Sequence, residues 1–181
     1  MDNGSDPVQV RRVFETAGIA VYLERPPSDM VDECEVTALH HALRGVLGLE
    51  QAKAIGREAG RLTADYLLAN RIPPFAQAIL KHLPAPLAGR LLIKAMERNA
   101  WTFAGSSVFT HSAGKSFRLS LAGCRLCIGA ASEVPLCDYY SAAFERLFRK
   151  LVSPQARVTE VQCQAQGYPA CLFDVDLTKR T

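Results

Sequence analysis

The chain has 181 residues, 49% of them hydrophobic, a formal net charge of +3 and six cysteines; this suits one domain with an ample core. Its small basic excess is dispersed (Arg11-Arg12, Arg146, Arg149-Lys150), which argues against nucleic acid as the main partner. The polar, acidic start (residues 1–6) is no signal peptide and no apolar run reaches membrane-span length, so the expectation is a soluble cytoplasmic protein whose cysteines are free thiols or metal ligands before they are disulfides.

Ser5-Asp6-Pro7 predicts a helix start, with Val10, Val13 and Phe14 on the apolar side and Gly18 as a stop. Ile19–Leu23 reads as a short strand or extended run, ended by Arg25-Pro26-Pro27-Ser28. From about Asp32, Val36, Leu39, Leu43, Val46 and Leu47 recur at helical spacing up to Gly48. A second long helix is predicted over 50–70, with Ala52, Ile55, Ala59, Leu62, Tyr66 and Leu67 apolar. Gly56 and Gly60 lie four apart on one face of it. Each costs about 1 kcal/mol of helix stability against alanine, and close approach of another backbone would offset that cost. Pro73-Pro74 opens a helix over 75–82, and Pro84 and Pro86 open another over 87–103. The last is apolar nearly all round and is expected to be buried on more than one side.

The period then changes. Residues 107–111 and 116–121 alternate and predict a hairpin. Asp138 is read as the cap of an amphipathic helix carrying Tyr140, Phe144, Leu147, Phe148 and Leu151, with Pro154 beyond it. Residues 157–164 and 170–176 predict a second strand pair joined through Gly167-Tyr168-Pro169. The fold class is α+β: N-terminal helices packed on an antiparallel sheet of two hairpins separated by a helix. Residues 1–34 read as a helical and extended lead-in, and 35–178 as the domain proper.

Five of the six cysteines fall between Cys124 and Cys171. Zinc takes four ligands, mostly thiolate and imidazole, with an occasional carboxylate. Cys163 and Cys171 flank a turn. Cys137 precedes a helix whose dipole favours a thiolate. Glu160 could complete a set with them, but residues three apart on a regular strand face opposite sides, so sharing one ion requires a bulge. Cys124-Arg-Leu-Cys127 is a second candidate: a fourth thiolate, a separate metal site or a redox dithiol. For each, the plain alternative is a small buried apolar residue; for Cys34 that alternative is preferred. A thiolate-rich closed site points to a structural metal.

The pattern Glu160-x2-Cys163-x3-Gly167-x3-Cys171-x-Phe173-x-Val175, with Cys137 before a helix, resembles the vinyl-4-reductase domain family, related in fold to TRAPP subunits. The run from Cys124 through Pro135-Leu136-Cys137-Asp138-Tyr139-Tyr140 to Phe148 looks most like the branch associated with bacteriochlorophyll biosynthesis and named for 4-vinyl reduction. The resemblance covers roughly residues 35–178. It implies a ligand-binding α+β domain, often a homodimer, with zinc on Cys137, Glu160, Cys163 and Cys171; Cys124 and Cys127 lie outside the family pattern and stand as reserve ligands.

It also implies a tetrapyrrole partner. No GxGxxG follows a strand and no other phosphate-cradling loop is visible, so a non-enzymatic carrier of a chlorophyll precursor (protochlorophyllide or Mg-protoporphyrin type), in contact with pathway enzymes, is preferred to a vinyl reductase or a ligand sensor. Candidate pocket residues are Phe75, Leu92, Met96, Trp101, Phe103, Phe109 and Tyr140; ordinary core is the competing reading for each. Of His40, His41, His82 and His111, the last is the first choice for an axial imidazole to a Mg-tetrapyrrole. Arg71, Arg90 or Arg98 could meet a propionate, against the reading of solvated surface charge.

Overall fold

The computed structural model describes residues 6–113 and 117–178. Helix α1 (Pro7–Thr16) begins where the Asp6 carboxylate accepts from the Val8 N–H, and Gly18 (φ 75°) follows its end. The predicted strand at 19–23 is instead a 3₁₀ turn, Ala20–Leu23. Its backbone is satisfied locally, with Tyr22 N–H donating to Ile19 and Arg25 N–H to Val21, so it needs no strand partner.

Helix α2 (Glu33–Leu47) is capped by Asp32 and stops at Gly48 (φ 82°), which also starts α3 (Leu49–Asn70). Helices α4 (Pro74–His82) and α5 (Ala85–Arg98) follow. The continuous helix expected to 103 breaks after Arg98. The Asn99 side-chain amide donates to the Ala95 carbonyl, competing with the helical ladder, and a separate turn α6 (Trp101–Ala104) ensues. Nor is α5 buried all round: Ala88, Leu92, Ile93 and Met96 face inward, while Leu87 and Leu91 are exposed.

Strands β1 (Val108–Ala113), β2 (Phe117–Ala122), β3 (Arg157–Gln162) and β4 (Cys171–Asp176) form one antiparallel sheet in the order β1-β2-β4-β3. The tip of the β1–β2 hairpin, 114–116, lies outside the described residues. Helix α7 (Asp138–Leu151) separates the two hairpins in sequence and lies across the sheet. Phe117, Leu119 and Leu121 of β2 alternate inward, as do Cys171, Phe173 and Val175 of β4, to meet Tyr140, Phe144, Leu147 and Phe148 of α7.

Helix α3 packs on the outer side of α7, and there the two glycines find their use. A Cβ on Gly60 would collide with the Tyr139 carbonyl, and one on Gly56 would touch the Tyr139 N–H. The Arg57–Asp138 ion pair seals this crossing. Asp138 therefore pairs with α3 as the first residue of α7; Cys137 holds the N-cap position, and Asp138 is not the cap expected from the sequence. Among the described residues, no helix is long and apolar enough to cross a membrane.

Candidate metal centre and the aromatic layer beside it

Cys124, Cys127, Cys137, Cys163 and Cys171 are all buried and meet at one end of the sheet's inner face. Cys124 and Cys127 come from a single helical turn after β2, in which Ile128 N–H donates to the Cys124 carbonyl. That turn is anchored where Gln164 Oε1 accepts from the Cys124 N–H at 2.6 Å. Cys137 precedes α7, Cys163 follows β3 and Cys171 opens β4. The Sγ–Sγ separations are 3.5 Å (Cys124–Cys137), 3.5 Å (Cys127–Cys171), 3.6 Å (Cys137–Cys171) and 3.8 Å (Cys163–Cys171). The thiols are free.

Glu160 joins them through a register shift in β3. Glu160 stands opposite Phe173 and Gln162 opposite Leu172, which leaves Val161 as an extra residue. One inserted residue reverses the side-chain alternation, so Glu160 and Cys163 face the same side. The parity objection raised by a regular strand is met by this bulge. Glu160 Oε2 accepts from the Cys137 N–H at 2.8 Å, while its Oε1 is buried without a hydrogen-bond partner.

Two quartets have their ligand atoms within 4.8 Å of one another: Cys124, Cys127, Cys137 and Cys171, and Cys137, Glu160, Cys163 and Cys171. The group can hold a metal ion. Zn–S bonds of about 2.3 Å give tetrahedral edges of about 3.8 Å, close to the sulfur separations here. The unpartnered buried Oε1 is the kind of atom a cation would satisfy. Electrostatics agree. Burial, reinforced by Cys163, raises the Glu160 pKa to about 8. Hydrogen bonds from Cys124 and then Cys137 hold the Cys127 thiol far below its ordinary range, while the same neighbourhood pushes Cys137 up. So many acidic groups cannot ionise together without a cation among them.

Sequence reasoning missed the clamp over this centre. On one face of α2, Thr37 Oγ1 donates to the Arg125 carbonyl, His41 Nε2 bonds the Ile128 carbonyl, and Arg44 Nη1 donates to the Leu126 carbonyl. Glu33, on the same face, pairs with Arg125 at 2.6 Å. The second Arg44 nitrogen, Nη2, is buried without a partner. The signal was present as polar residues at 33, 37, 41 and 44, a helical spacing, in a stripe that reads as solvated until its partners are known. His40, next to it, lies edge-on to Tyr139, and burial lowers its pKa to about 4.

Beyond the sulfurs the inner face becomes aromatic. Phe103, Phe109, Tyr140, Phe144 and Phe173 contact one another edge-on or stacked at 5.5–6.4 Å between ring centroids, and the Tyr140 hydroxyl donates to the Phe103 carbonyl at 2.7 Å. Of the residues expected to line a pocket, Phe103, Phe109 and Tyr140 belong to this layer. Leu92 and Met96 are buried on α5. Phe75 and Trp101 are exposed, at 69% and 64%. His111 lies on β1 with its Nε2 3.5 Å from Glu97. His82 is exposed at the end of α4, and Arg71, Arg90 and Arg98 are also exposed.

Comparison with known proteins agrees with this layout. Residues 117–177, from β2 to the end of β4, match the vinyl-4-reductase (V-4-R) domain. The "Bacteriochlorophyll synthase 23 kDa chain" of Cereibacter sphaeroides is 44% identical over 150 residues, 83% of this chain and 72% of that protein. The protein of the same name from Rhodobacter capsulatus is 41% identical over 164 residues, 90% and 74% of the two chains. The chain belongs to their family. Among solved structures, the phenol-responsive sensory domain of the transcription activator PoxR shares the fold of this family member (TM-score 0.56, 14% identity, 81% of this chain and 75% of that one). An H-NOX protein from S. oneidensis has a similar fold (TM-score 0.55, 9% identity, 95% and 97%).

Proposed function

We propose that the chain serves bacteriochlorophyll biosynthesis as a carrier. It binds a chlorophyll precursor of the protochlorophyllide or Mg-protoporphyrin type against its aromatic layer and passes it to a pathway enzyme. The observation that carries this reading is the 44% identity over most of the chain to a protein named as a bacteriochlorophyll synthase chain. The character of the inner face supports it: five aromatic rings, with Leu92 and Met96 beside them, suit a flat apolar guest.

The rings fill the space between α7 and the sheet, so a guest is admitted only if something moves. The turn α6 is the element placed to do so. It carries half-buried Phe103 and exposed Trp101, and lies between the break at Asn99 and Gly105 (φ 58°). With α6 displaced, Phe109 and Tyr140 face the guest. His111, two residues from Phe109 on the same face of β1, is the candidate axial imidazole. Phe75 adds exposed apolar surface on α4. The carrier is expected to be a homodimer.

The metal centre has a separate, structural role. A zinc ion on Cys137, Glu160, Cys163 and Cys171 would tie the start of α7 to the end of the β3–β4 hairpin; bound there it supplies cross-linking, since a closed thiolate set leaves no open position. Optical titration tests the carrier reading. Trp101 is the only tryptophan, and Mg-protoporphyrin monomethyl ester should quench its emission saturably and shift the pigment's Soret band without consuming NADPH. Absence of any saturable change overturns the proposal. Conversion of divinyl to monovinyl pigment in the presence of a hydride donor would overturn it in favour of a vinyl reductase.

A further inference from the structure

The centre holds more donors than one ion can use. A tetrahedral zinc takes four ligands, yet five thiols and a carboxylate converge here in two quartets that share two members, Cys137 and Cys171. Two tetrahedra joined along an edge need six donors: two bridging and two terminal on each side. The donor set divides in that way. Cys137 and Cys171 form the common edge, their sulfurs 3.6 Å apart. One quartet adds Cys124 and Cys127 to that edge, the other adds Glu160 and Cys163. The cross-distances Cys124–Cys137, Cys127–Cys171 and Cys163–Cys171, at 3.5, 3.5 and 3.8 Å, each run from a terminal donor to a bridging one, and all are near the roughly 3.8 Å edge of a zinc–thiolate tetrahedron.

We propose that the chain binds two zinc ions in one dinuclear cluster, bridged by the Cys137 and Cys171 thiolates, with Cys124 and Cys127 terminal on the first ion and Glu160 and Cys163 terminal on the second. This rests on the zinc reading above and extends it from one ion to two. A single ion leaves a pair of donors over. If it takes the four-cysteine quartet, Glu160 Oε1 stays buried and unpartnered; if it takes the other, Cys124 and Cys127 remain as thiols packed against bound thiolates. Two ions engage all six groups. Two dications against five thiolates and a carboxylate leave a formal charge of about −2, and a counter-charge is at hand. The Arg44 guanidinium, held by the Leu126 carbonyl at 3.0 Å, keeps its other nitrogen buried and free of partners. Bridging thiolates retain lone pairs that accept such donors.

The test uses the full chain, stripped of metal under reducing conditions and reloaded. Native mass spectrometry after zinc loading should give two ions per chain. Reloading with ¹¹³Cd²⁺ should give two cadmium resonances, each split by coupling to the other through the shared sulfurs; this needs no variant, so it stands even if substitutions impair folding. The double variants C124S/C127S and E160Q/C163S should each fall to one ion. One ion per chain with a single cadmium resonance overturns the cluster and leaves the mononuclear zinc reading intact. Two uncoupled resonances overturn the shared bridges. No bound metal overturns both readings, and iron with acid-labile sulfide overturns the zinc cluster.

Discussion

The inner face of the sheet has two ends that stabilise the fold by different means. At the sulfur end, five thiols and a carboxyl group gather in a geometry that can hold a metal ion. At the aromatic end, rings from α6, α7, β1 and β4 are packed edge to face or stacked, with one hydroxyl, already satisfied. β4 serves both, since Cys171 and Phe173 are two residues apart on one face. With the proposed zinc bound, the sulfur end would depend on coordination, which is directional and is lost all at once. The aromatic end depends on burial, which is lost in proportion to the area exposed. The first suits a permanent lock. The second would suit a surface that parts to take up a guest, as the proposed carrier role requires.

Metal removal should separate the ends most sharply. Chelation under reducing conditions is expected to lower the melting temperature by roughly 10 °C or more, because the β2–α7 loop, the start of α7 and the β3–β4 connection all lose their common anchor. Calorimetry before and after zinc is restored checks this; a melting temperature indifferent to metal would mean that the sulfurs are simply packed.

At the aromatic end, Phe173→Ala should cost about 3–5 kcal/mol while leaving metal content unchanged, measured by denaturant unfolding and elemental analysis on the same samples. Loss of metal along with the ring would show that the two ends are one cooperative unit. Gly60→Ala acts behind both. Alanine gains about 1 kcal/mol of helix propensity, but its methyl group meets the Tyr139 carbonyl. Backbone cannot yield as a side chain can, so a net loss of about 1–3 kcal/mol is expected.

The sulfur end was the more legible in the sequence, because cysteine spacing marks its own chemistry. Cys137, Glu160, Cys163 and Cys171 could be named together before any fold was known. The meeting of Cys124 and Cys127 with the same centre was one of three readings the sequence left open, since it depends on how the β2–α7 loop folds back onto Gln164. The bulge at Val161 carries no local residue signal, and the stripe on α2 reads as solvated. The aromatic end was less legible. Apolar residues reveal burial but not partner, so Trp101 and Phe103 looked like parts of one long helix, while the break at Asn99 leaves one exposed and the other half-buried against the core. Gly56 and Gly60 were readable because their cost demanded a close neighbour.

Tyr140→Phe tests the link between the aromatic layer and α6. It removes the hydroxyl that donates to Phe103 and leaves that carbonyl short of a partner, a loss of about 1–2 kcal/mol. The sharper readout is local: proteolysis near Trp101 should quicken without change in metal content, and pigment should associate faster if α6 is the gate.

The smallest effect is expected on the other side of the same sheet. Arg118 and Asp174 face each other in register across β2 and β4, joined at 2.6 and 3.1 Å. Arg118 is exposed and Asp174 partly so, so solvent screens the pair and ordering two side chains offsets most of its attraction. Arg118→Ala should leave the melting temperature, zinc content and pigment affinity unchanged within error. Both flanking positions, Phe117 and Leu119, point inward, so removing the outward side chain disturbs neither end of the inner face. If the substitution did shift metal content or pigment binding, the strand itself would be transmitting between the two faces, and the division into a sulfur lock and an aromatic gate would have to give way to a single coupled sheet.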